Sequence, residues 1–335
     1  MDGLNLTPYP AMLLTTVLDD ERLGGSMITR ATFDLSDGEL TPSPEQPWIV
    51  SVEPWESPLG PFDPDQPFRT DGVDLLVRGD ACAPKGEPAK EVPLSVEVGS
   101  FRASAVAIGP RVWGRLRSGA LVPTDPVAFT TLPIGLSAAY GGVGEVDGQK
   151  APYPLNPLGK GFYGEEGAAL HQPLPEIEDP AARIKRWDDR PDPVGFGLCQ
   201  FPHPLRLRES VLLDGRPAAE AGARMDPGKP RPKIEPSHRM FNRAFPKLIA
   251  PSVAPGDLVT VTGFSADGPL SFRIPPTLLR VYLAFGEKLV ERTPSIEAVG
   301  IDVPARKVFL GYRYPFRYVF VPHQRRVVTL FTVEA

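Results

Sequence analysis

The chain has 335 residues, of which 41% are hydrophobic and 23% charged, and these values argue against wholesale disorder. Its net charge of −5 argues against a general nucleic-acid binder. The 42 prolines and 32 glycines are spread along the whole chain, and proline inside a helix costs about 3 kcal/mol. This composition disfavours helical bundles and solenoids of paired helices, and leaves a β-rich fold with many loops.

The first 135 residues predict β-strands separated by turns. Two β-favouring runs flank a polar turn near the start, which is typical of a hairpin. The cleanest hairpin joins two alternating runs across Gly99-Ser100. Residues 41–70 carry eight prolines and predict turns and extended loop, with the apolar run at 48–52 as the exception. The expected strands cover residues 12–18, 27–33, 73–80, 94–98, 101–107, 111–117 and 127–132.

The remaining residues predict loops followed by further strands. Residues 140–208 lack sustained periodicity, with one short helix expected over 181–187, and 216–237 predict a flexible loop. Two helical turns are expected over 238–245. Strands are expected over 258–262, 270–274, 279–285, 308–313 and 327–333.

These patterns together predict a mainly β fold of antiparallel sheets, sandwich-like or meander-like, with long Gly/Pro-rich loops and a few short helices. We divide it into a β-rich body, residues 1–275, and a C-terminal antiparallel meander, residues 276–335, packed on that body.

Compartment and redox state follow from features that the sequence lacks. Cys82 and Cys199 permit one disulfide at most, so reduced thiols are expected. The N-terminus has no basic segment of a signal peptide, and no apolar run approaches the roughly 20 residues that cross a bilayer. We therefore expect a cytoplasmic protein without membrane insertion.

Signatures of catalysis and of cofactor binding are weak. The four histidines lack zinc-motif spacing, and the glycines at 141–148 fail the dinucleotide fingerprint because Asp147 stands where a glycine is needed. No cofactor or metal is expected. Glu176 and Glu178 leave open a carbohydrate-active hydrolase that uses a carboxylate pair, although turn-stabilising acids are the simpler interpretation. The basic run from Lys229 to Lys233 predicts a solvated loop.

Short pieces between about residues 25 and 315 carry a resemblance when they are taken in order. The most specific are N-P-x-G-x-G-F at 156–162 and L-P-x-I-E-x-P at 174–180. Together they resemble the family named for domain of unknown function 2169, the accessory proteins of bacterial type VI secretion systems. The residues that this resemblance marks as structural or partner-contacting are Asp71, Arg111, Trp113, Gly141, Gly142, Asn156, Pro157, Gly159, Gly161, Phe162, Pro175, Glu178, Asn242 and Arg313.

The resemblance implies a bacterial, non-enzymatic adaptor or chaperone that loads an effector onto the secretion spike. Its expected partners are proteins, namely an effector toxin, the spike protein and the tip protein of the spike. The alternatives are the hydrolase described above and a fixed structural component of the secretion baseplate or spike. Loops on a β scaffold suit partner binding because they offer shaped surfaces without requiring a catalytic group.

Overall fold

The computed structural model describes residues 1–18, 22–209 and 238–333 and shows a mainly β protein. The loop expected at 216–237 and the basic run from Lys229 to Lys233 lie outside these residues. In chain order, the strands of the first part are β1 (Asp2–Asn5), β2 (Ala11–Val17), β3 (Arg22–Ser36), β4 (Glu39–Pro42), β5 (Trp55–Ser57), β6 (Gly60–Phe62), β7 (Val73–Arg78), β8 (Ala81–Cys82), β9 (Glu91–Val98), β10 (Phe101–Ile108), β11 (Trp113–Arg115), β12 (Leu121–Pro123) and β13 (Thr131–Leu132).

The later part of the described chain alternates very short strands with a final set of long ones. These strands are β14 (Tyr140–Gly141), β15 (Val143–Val146), β16 (Gln149–Pro152), β17 (Lys160–Gly161), β18 (Ile177–Glu178), β19 (Ile249–Ala250), β20 (Leu258–Thr262), β21 (Leu270–Arg273), β22 (Leu279–Phe285), β23 (Lys288–Arg292), β24 (Ser295–Asp302), β25 (Lys307–Val319) and β26 (Arg326–Thr332). The α-helices are α1 (Glu166–Ala169) and α2 (Pro204–Glu209), and 3-10 turns cover Pro84–Gly86, His238–Phe241 and Pro246–Leu248. None of the described helices is long and apolar enough to span a membrane.

Three larger sheets make up the body of the protein. The seven-stranded sheet has the order β19-β7-β24-β25-β3-β2, with β4 also paired to β3. A five-stranded sheet has the order β18-β10-β9-β20-β21, and a four-stranded sheet the order β1-β26-β22-β23. Most pairs are antiparallel, as predicted, and the hairpin of β9 and β10 is confirmed in register. The pairs β7–β24 and β1–β26 are parallel.

One apolar core joins all three sheets. Residues of their strands supply it, for example Val96 from β9, Leu310 from β25 and Leu330 from β26, each fully buried. The central strands β7, β24 and β25 are buried over consecutive residues, whereas β22 and β26 alternate between buried and partly exposed positions. Trp48 enters from the proline-rich segment and stacks on Phe309 with ring centroids 4.0 Å apart. The segment at 41–70, predicted as loop, therefore contributes an aromatic anchor to the core.

The boundary predicted near residue 275 stays a prediction. Strands on either side of it share the seven-stranded sheet, because β24 pairs with β7 and β25 pairs with β3. The later strands β22, β23 and β26 belong instead to the four-stranded sheet.

The helix predicted at 181–187 is wrong, since these residues form turns and irregular backbone. The carboxylate of Asp179 accepts a hydrogen bond from the Ala181 amide at 2.8 Å. The carboxylate of Asp189 accepts from the amides of Lys185 and Arg186, each at 2.8 Å. The Asp189 carboxylate thus takes two backbone donors that helical turns would otherwise use, whereas the bond from the Ala181 amide is of the N-cap type.

A second apolar cluster lies within residues 111–190, which we call the loop region. Trp113, Tyr140, Leu174 and Ile184 are among its buried members, and Phe162 and Trp187 pack against it. Tyr140 and Tyr153 make an edge contact with centroids 4.9 Å apart. The loop region therefore has an apolar centre of its own, although its sequence shows no regular alternation.

Candidate functional site

The motif residues fall into two places in the structure. Most of them, from Arg111 to Glu178, surround the second apolar cluster and form the framework of the loop region. Asp71, Asn242 and Arg313 lie in the body, beside the segment that enters β7 and at the centre of β25. The motif residues, which follow one another in the sequence, therefore form two spatially separate arrangements, one in the loop region and one in the body.

Asn156 organises the first arrangement from a fully buried position. Its side-chain amide donates hydrogen bonds to the carbonyls of Leu136 and Tyr140 at 2.8 and 3.1 Å. Its own carbonyl accepts from the amide of Gly142 at 2.8 Å. These bonds tie the 156–162 turn to the strand β14, so Asn156 has a structural explanation for its place in the motif.

Four glycines allow the two backbone segments to approach one another. Gly141 and Gly142 have φ values of 149° and 100°, and Gly161 also has φ of 100°. A Cβ atom on Gly141 would lie 2.0 Å from the Asn156 carbonyl oxygen, and one on Gly159 would lie 2.5 Å from that of Ala139. Such spacing admits only glycine, because any larger residue requires the backbone to move.

Pro175 and Phe162 complete this framework. A Cβ on Gly161 would lie 2.7 Å from the ring of Pro175, which is buried. Phe162 packs against Tyr153 with centroids 5.3 Å apart, and the guanidinium of Arg190 lies 5.2 Å from its ring centre. Every motif position from 141 to 175 named above is therefore buried or in packing contact, with the exception of Pro157, which is exposed.

Arg111 and Glu178 form a buried ion pair within the loop region. The Nε of Arg183 donates to the second carboxylate oxygen of Glu178 at 2.9 Å, and the Ile184 amide adds a bond at 3.3 Å. The two Nη atoms of Arg183 also donate hydrogen bonds to the carboxylate oxygens of Glu91 in β9, at 2.6 and 3.2 Å. This chain of charges links the loop region to the five-stranded sheet.

Burial raises the pKa of the Glu178 carboxyl, and Arg111 and Arg183 oppose that rise. General acids also show raised pKa values. Glu178, however, is only 3% exposed and both of its oxygens already accept hydrogen bonds from guanidinium groups. Glu176 has a different partner, the ammonium of Lys160 at 3.1 Å. The two carboxylates are thus held by separate cations.

The second arrangement centres on Asn242. Its amide donates to the Asp71 carbonyl at 3.1 Å and to the Asp74 carboxylate at 2.9 Å, while its carbonyl oxygen accepts from the Asp71 amide. Asp74 also accepts from the amides of Arg243 and Ala244. Burial raises the pKa of the Asp74 carboxyl. These bonds fix residues 242–244 against the start of β7.

Asp65 lies next to this arrangement and was missed by sequence reasoning. It is buried between the guanidinium groups of Arg30 and Arg243, with Arg30 Nη1 at 2.9 Å and Arg243 Nη2 at 3.0 Å. The same guanidinium groups lie 4.8 and 4.7 Å from the ring centre of Phe62. Burial alone would raise the pKa of Asp65, but the two arginines outweigh it and hold that pKa below its usual range.

Arg313 repeats the pattern on β25. It is 3% exposed, pairs with Glu297 of β24 and donates to the Gln66 carbonyl at 2.5 Å. One signal in the sequence could have identified these residues: Arg30 and Arg313 each interrupt a β-favouring run at a position that faces other buried residues. Nothing comparable distinguishes Asp65 within its proline-rich segment.

The surface of the loop region carries exposed apolar side chains. Leu158 is 68% exposed and Val143 is 57% exposed. Leu158 precedes Gly159 and Val143 follows Gly142, and a Cβ on Gly142 would lie 2.6 Å from the Gly159 carbonyl oxygen. The two side chains therefore project from neighbouring backbone segments, and the glycine contacts hold these segments together.

Metal chemistry finds no support within the described ranges. They contain no group of three or more His, Cys, Asp or Glu side chains placed to hold a metal ion. Cys199 is buried, which raises the pKa of its thiol to about 12 and keeps it protonated near neutral pH.

Comparison with known proteins gives one match. The chain matches, over residues 21–313, the model of a family described as an uncharacterized protein conserved in bacteria (DUF2169). No curated protein and no solved structure matched it. The match spans both arrangements of buried motif residues and the whole of the second apolar cluster, so the chain belongs to this uncharacterized bacterial family.

Proposed function

We propose that this chain is a non-enzymatic adaptor of bacterial type VI secretion, which binds a toxic effector in the cytoplasm and presents it to the spike complex. The family description names no activity. The motif resemblance supplies the secretion system, and the structure of the loop region supports a role in binding a protein.

The observation that carries this proposal is the pair Leu158 and Val143. Both are large apolar side chains with more than half of their surface in water, and a partner that covered them would gain apolar burial. Leu158 lies on the 156–162 turn and Val143 begins β15, and Asn156 and the glycine contacts hold these two segments together. A rigid apolar contact loses little conformational entropy on binding, which favours recognition of a partner.

The buried charges support the same proposal. Arg111, Glu178 and Arg183 bind each other, and Asp65 binds two arginines, so these ionisable groups hold the fold together. A hydrolase that uses Glu176 and Glu178 would need both carboxylates to reach one scissile bond. The hydrogen bonds of Glu178 to two guanidinium groups leave its oxygens occupied.

The test is affinity purification of the tagged protein from its native host, followed by mass spectrometry. We expect one spike protein and one toxin-like protein to survive a moderate-salt wash. Leu158→Asp and Val143→Asp should each reduce that recovery at least tenfold. Leu258→Asp, at a position that is 46% exposed on β20, is the control and should retain it.

Three outcomes contradict the proposal. Recovery of neither partner while the secretion system is expressed would exclude an adaptor role. Retention of this chain at fixed stoichiometry in assembled spike particles would instead favour a structural component. Turnover of glycans that disappears in a Glu176→Gln, Glu178→Gln double variant of unchanged fold would favour the hydrolase.

A further inference from the structure

The strand β23 forms one edge of the four-stranded sheet. It pairs with β22 in antiparallel register from Phe285↔Lys288 to Val281↔Arg292, and the sheet order ends at β23. No strand among the described residues pairs with its other side. Four of its five residues are exposed, and Val290 is partly buried against the core.

The register determines which backbone groups of β23 point outward. The turn Gly286-Glu287 is a two-residue hairpin loop, so Phe285 and Lys288 form a hydrogen-bonded pair. Hydrogen-bonded and non-bonded pairs alternate along an antiparallel ladder. The amides and carbonyls of Leu289 and Glu291 therefore face away from β22 and are oriented to pair with another strand.

The side chains of β23 alternate between the two faces of the sheet. Lys288, Val290 and Arg292 lie on the side of the core, since Val290 is opposite the buried Leu283. Leu289, which is 59% exposed, and Glu291 lie on the outer side, where Glu291 is 3.7 Å from Arg280. The core side of this edge thus carries two cations that flank one apolar residue.

This charge pattern disfavours pairing between two copies of the chain. In an antiparallel pair centred on Val290, Lys288 of one copy would face Arg292 of the other. In a parallel pair in register, each cation would face its own equivalent. Like charges directly opposite on a sheet are destabilising, and edge lysines are a known protection against self-association.

We propose that β23 accepts an extended segment of a protein partner, which adds as a fifth antiparallel strand to this sheet. The segment carries acidic residues opposite Lys288 and Arg292 and an apolar residue opposite Val290. Backbone bonds to Leu289 and Glu291 supply affinity, and the charges supply register and selectivity. This inference rests on the proposed function only in taking the partner to be a protein.

The probe is a fluorescein-labelled peptide, Thr-Thr-Glu-Thr-Val-Val-Glu-Thr-Thr, titrated with the full-length protein and followed by fluorescence polarisation. Its two glutamates face the two cations, its central valine faces Val290, and threonine faces Glu291. We expect saturable binding, and binding at least tenfold weaker for a scrambled peptide of the same composition and charge. A Lys288→Glu, Arg292→Glu double variant should also bind the probe at least tenfold more weakly.

A proline substitution at a residue whose backbone amide faces outward tests the contribution of backbone hydrogen bonds separately from that of side-chain charge. Glu291→Pro removes one outward amide donor, at an edge position where proline is tolerated. We expect it to lose at least tenfold in affinity, while Glu291→Thr, which keeps the amide, stays within threefold of wild type. Circular dichroism and thermal melting check that both variants fold.

Several results would overturn strand addition at β23. These are the absence of saturable binding at millimolar protein, equal binding of the scrambled peptide, and equal affinities of the Glu291→Pro and Glu291→Thr variants. The adaptor proposal is judged separately, by recovery of the spike protein and the toxin from the host. If Glu291→Pro still recovers both, the adaptor role stands and the edge is not its contact.

Discussion

The three-sheet body and the loop region reach ordered structures by different means. In the body, the packing of large apolar side chains stabilises the fold, since buried residues of long strands fill one core. In the loop region, the absence of side chains is decisive, because Gly141, Gly142 and Gly159 bring backbone segments into direct contact. A region without sequence periodicity is therefore ordered when close backbone contacts at glycines and a buried side-chain amide replace regular strand pairing.

Both regions also contain a carboxylate held by two arginines, but the degree of burial differs. The Asp65 side chain has no exposed surface, and its partners Arg30 and Arg243 are 2% and 8% exposed at the side chain. Glu178 is equally buried, whereas its partner Arg183 is 27% exposed. Water can therefore solvate Arg183, one partner of Glu178. Both arginine partners of Asp65 are buried and lack this solvation.

Removal of Asp65 gives the largest expected effect. Asp65→Ala leaves two buried guanidinium groups without a counter-ion, which should lower the free energy of unfolding by about 3–5 kcal/mol. Urea denaturation measures this loss. Asp71→Ala is the control, because the Asp71 side chain is 58% exposed and its ion pair with Arg239 should contribute about 1 kcal/mol or less. Equal losses for the two variants would contradict the importance of burial.

Gly141→Ala tests the framework of the loop region. The new Cβ meets the Asn156 carbonyl and the residue keeps a φ that favours glycine, so we expect a loss of about 2–3 kcal/mol. Gly148→Ala is matched to it, since Gly148 has φ of 75° but open space around it, and should cost about 1 kcal/mol. Hydrogen exchange should localise the Gly141 effect to residues 139–161, and exchange that rises evenly over the whole chain would contradict this assignment.

Acid should selectively remove the contribution of Asp65. Its pKa is lowered in the folded protein, so its stabilisation is present above the unfolded pKa of about 3.9 and declines as pH falls through the folded value. The difference in unfolding free energy between wild type and Asp65→Asn should therefore shrink below about pH 4. Denaturation at pH 7, 5, 4 and 3 measures it, and a constant difference would show that the Asp65 charge is not responsible.

Leu158→Ser should have the smallest effect on stability. The side chain is 68% exposed, so the free energy of unfolding should change by about 0.5 kcal/mol or less. The same variant should recover markedly less spike protein and toxin from the host. A loss of stability above about 1 kcal/mol would instead show that Leu158 packs within the loop region.

Much of the body could be predicted from the sequence because its strands are rich in β-favouring residues and several of them alternate. The β9–β10 hairpin and the strands near residues 12–18 and 327–333 follow from that pattern. The parallel pairing of β7 with β24 could not be predicted, since it joins residues more than 200 positions apart and leaves no local signal. The prediction of a helix at 181–187 failed because the Asp189 carboxylate binds the amides of Lys185 and Arg186.

The candidate site was predictable in part. The motif resemblance identified Asn156, the glycines and the Arg111–Glu178 pair, but it gave no indication that these residues contact one another. Asp65 was missed because aspartates among prolines are typical of turns. Its burial depends on Arg243, which is 178 residues further along the chain. Distances of this kind are set by the tertiary fold.

The position of β25 at the centre of the seven-stranded sheet has a consequence for synthesis on the ribosome. β3 is made long before its partner β25, because the contact of Asp34 with Lys307 joins residues 273 positions apart. Until residue 319 has been translated, one edge of β3 has no partner. Such non-local pairing slows folding and exposes nascent strands to aggregation. Most of this chain must therefore be kept from aggregating before its largest sheet can form.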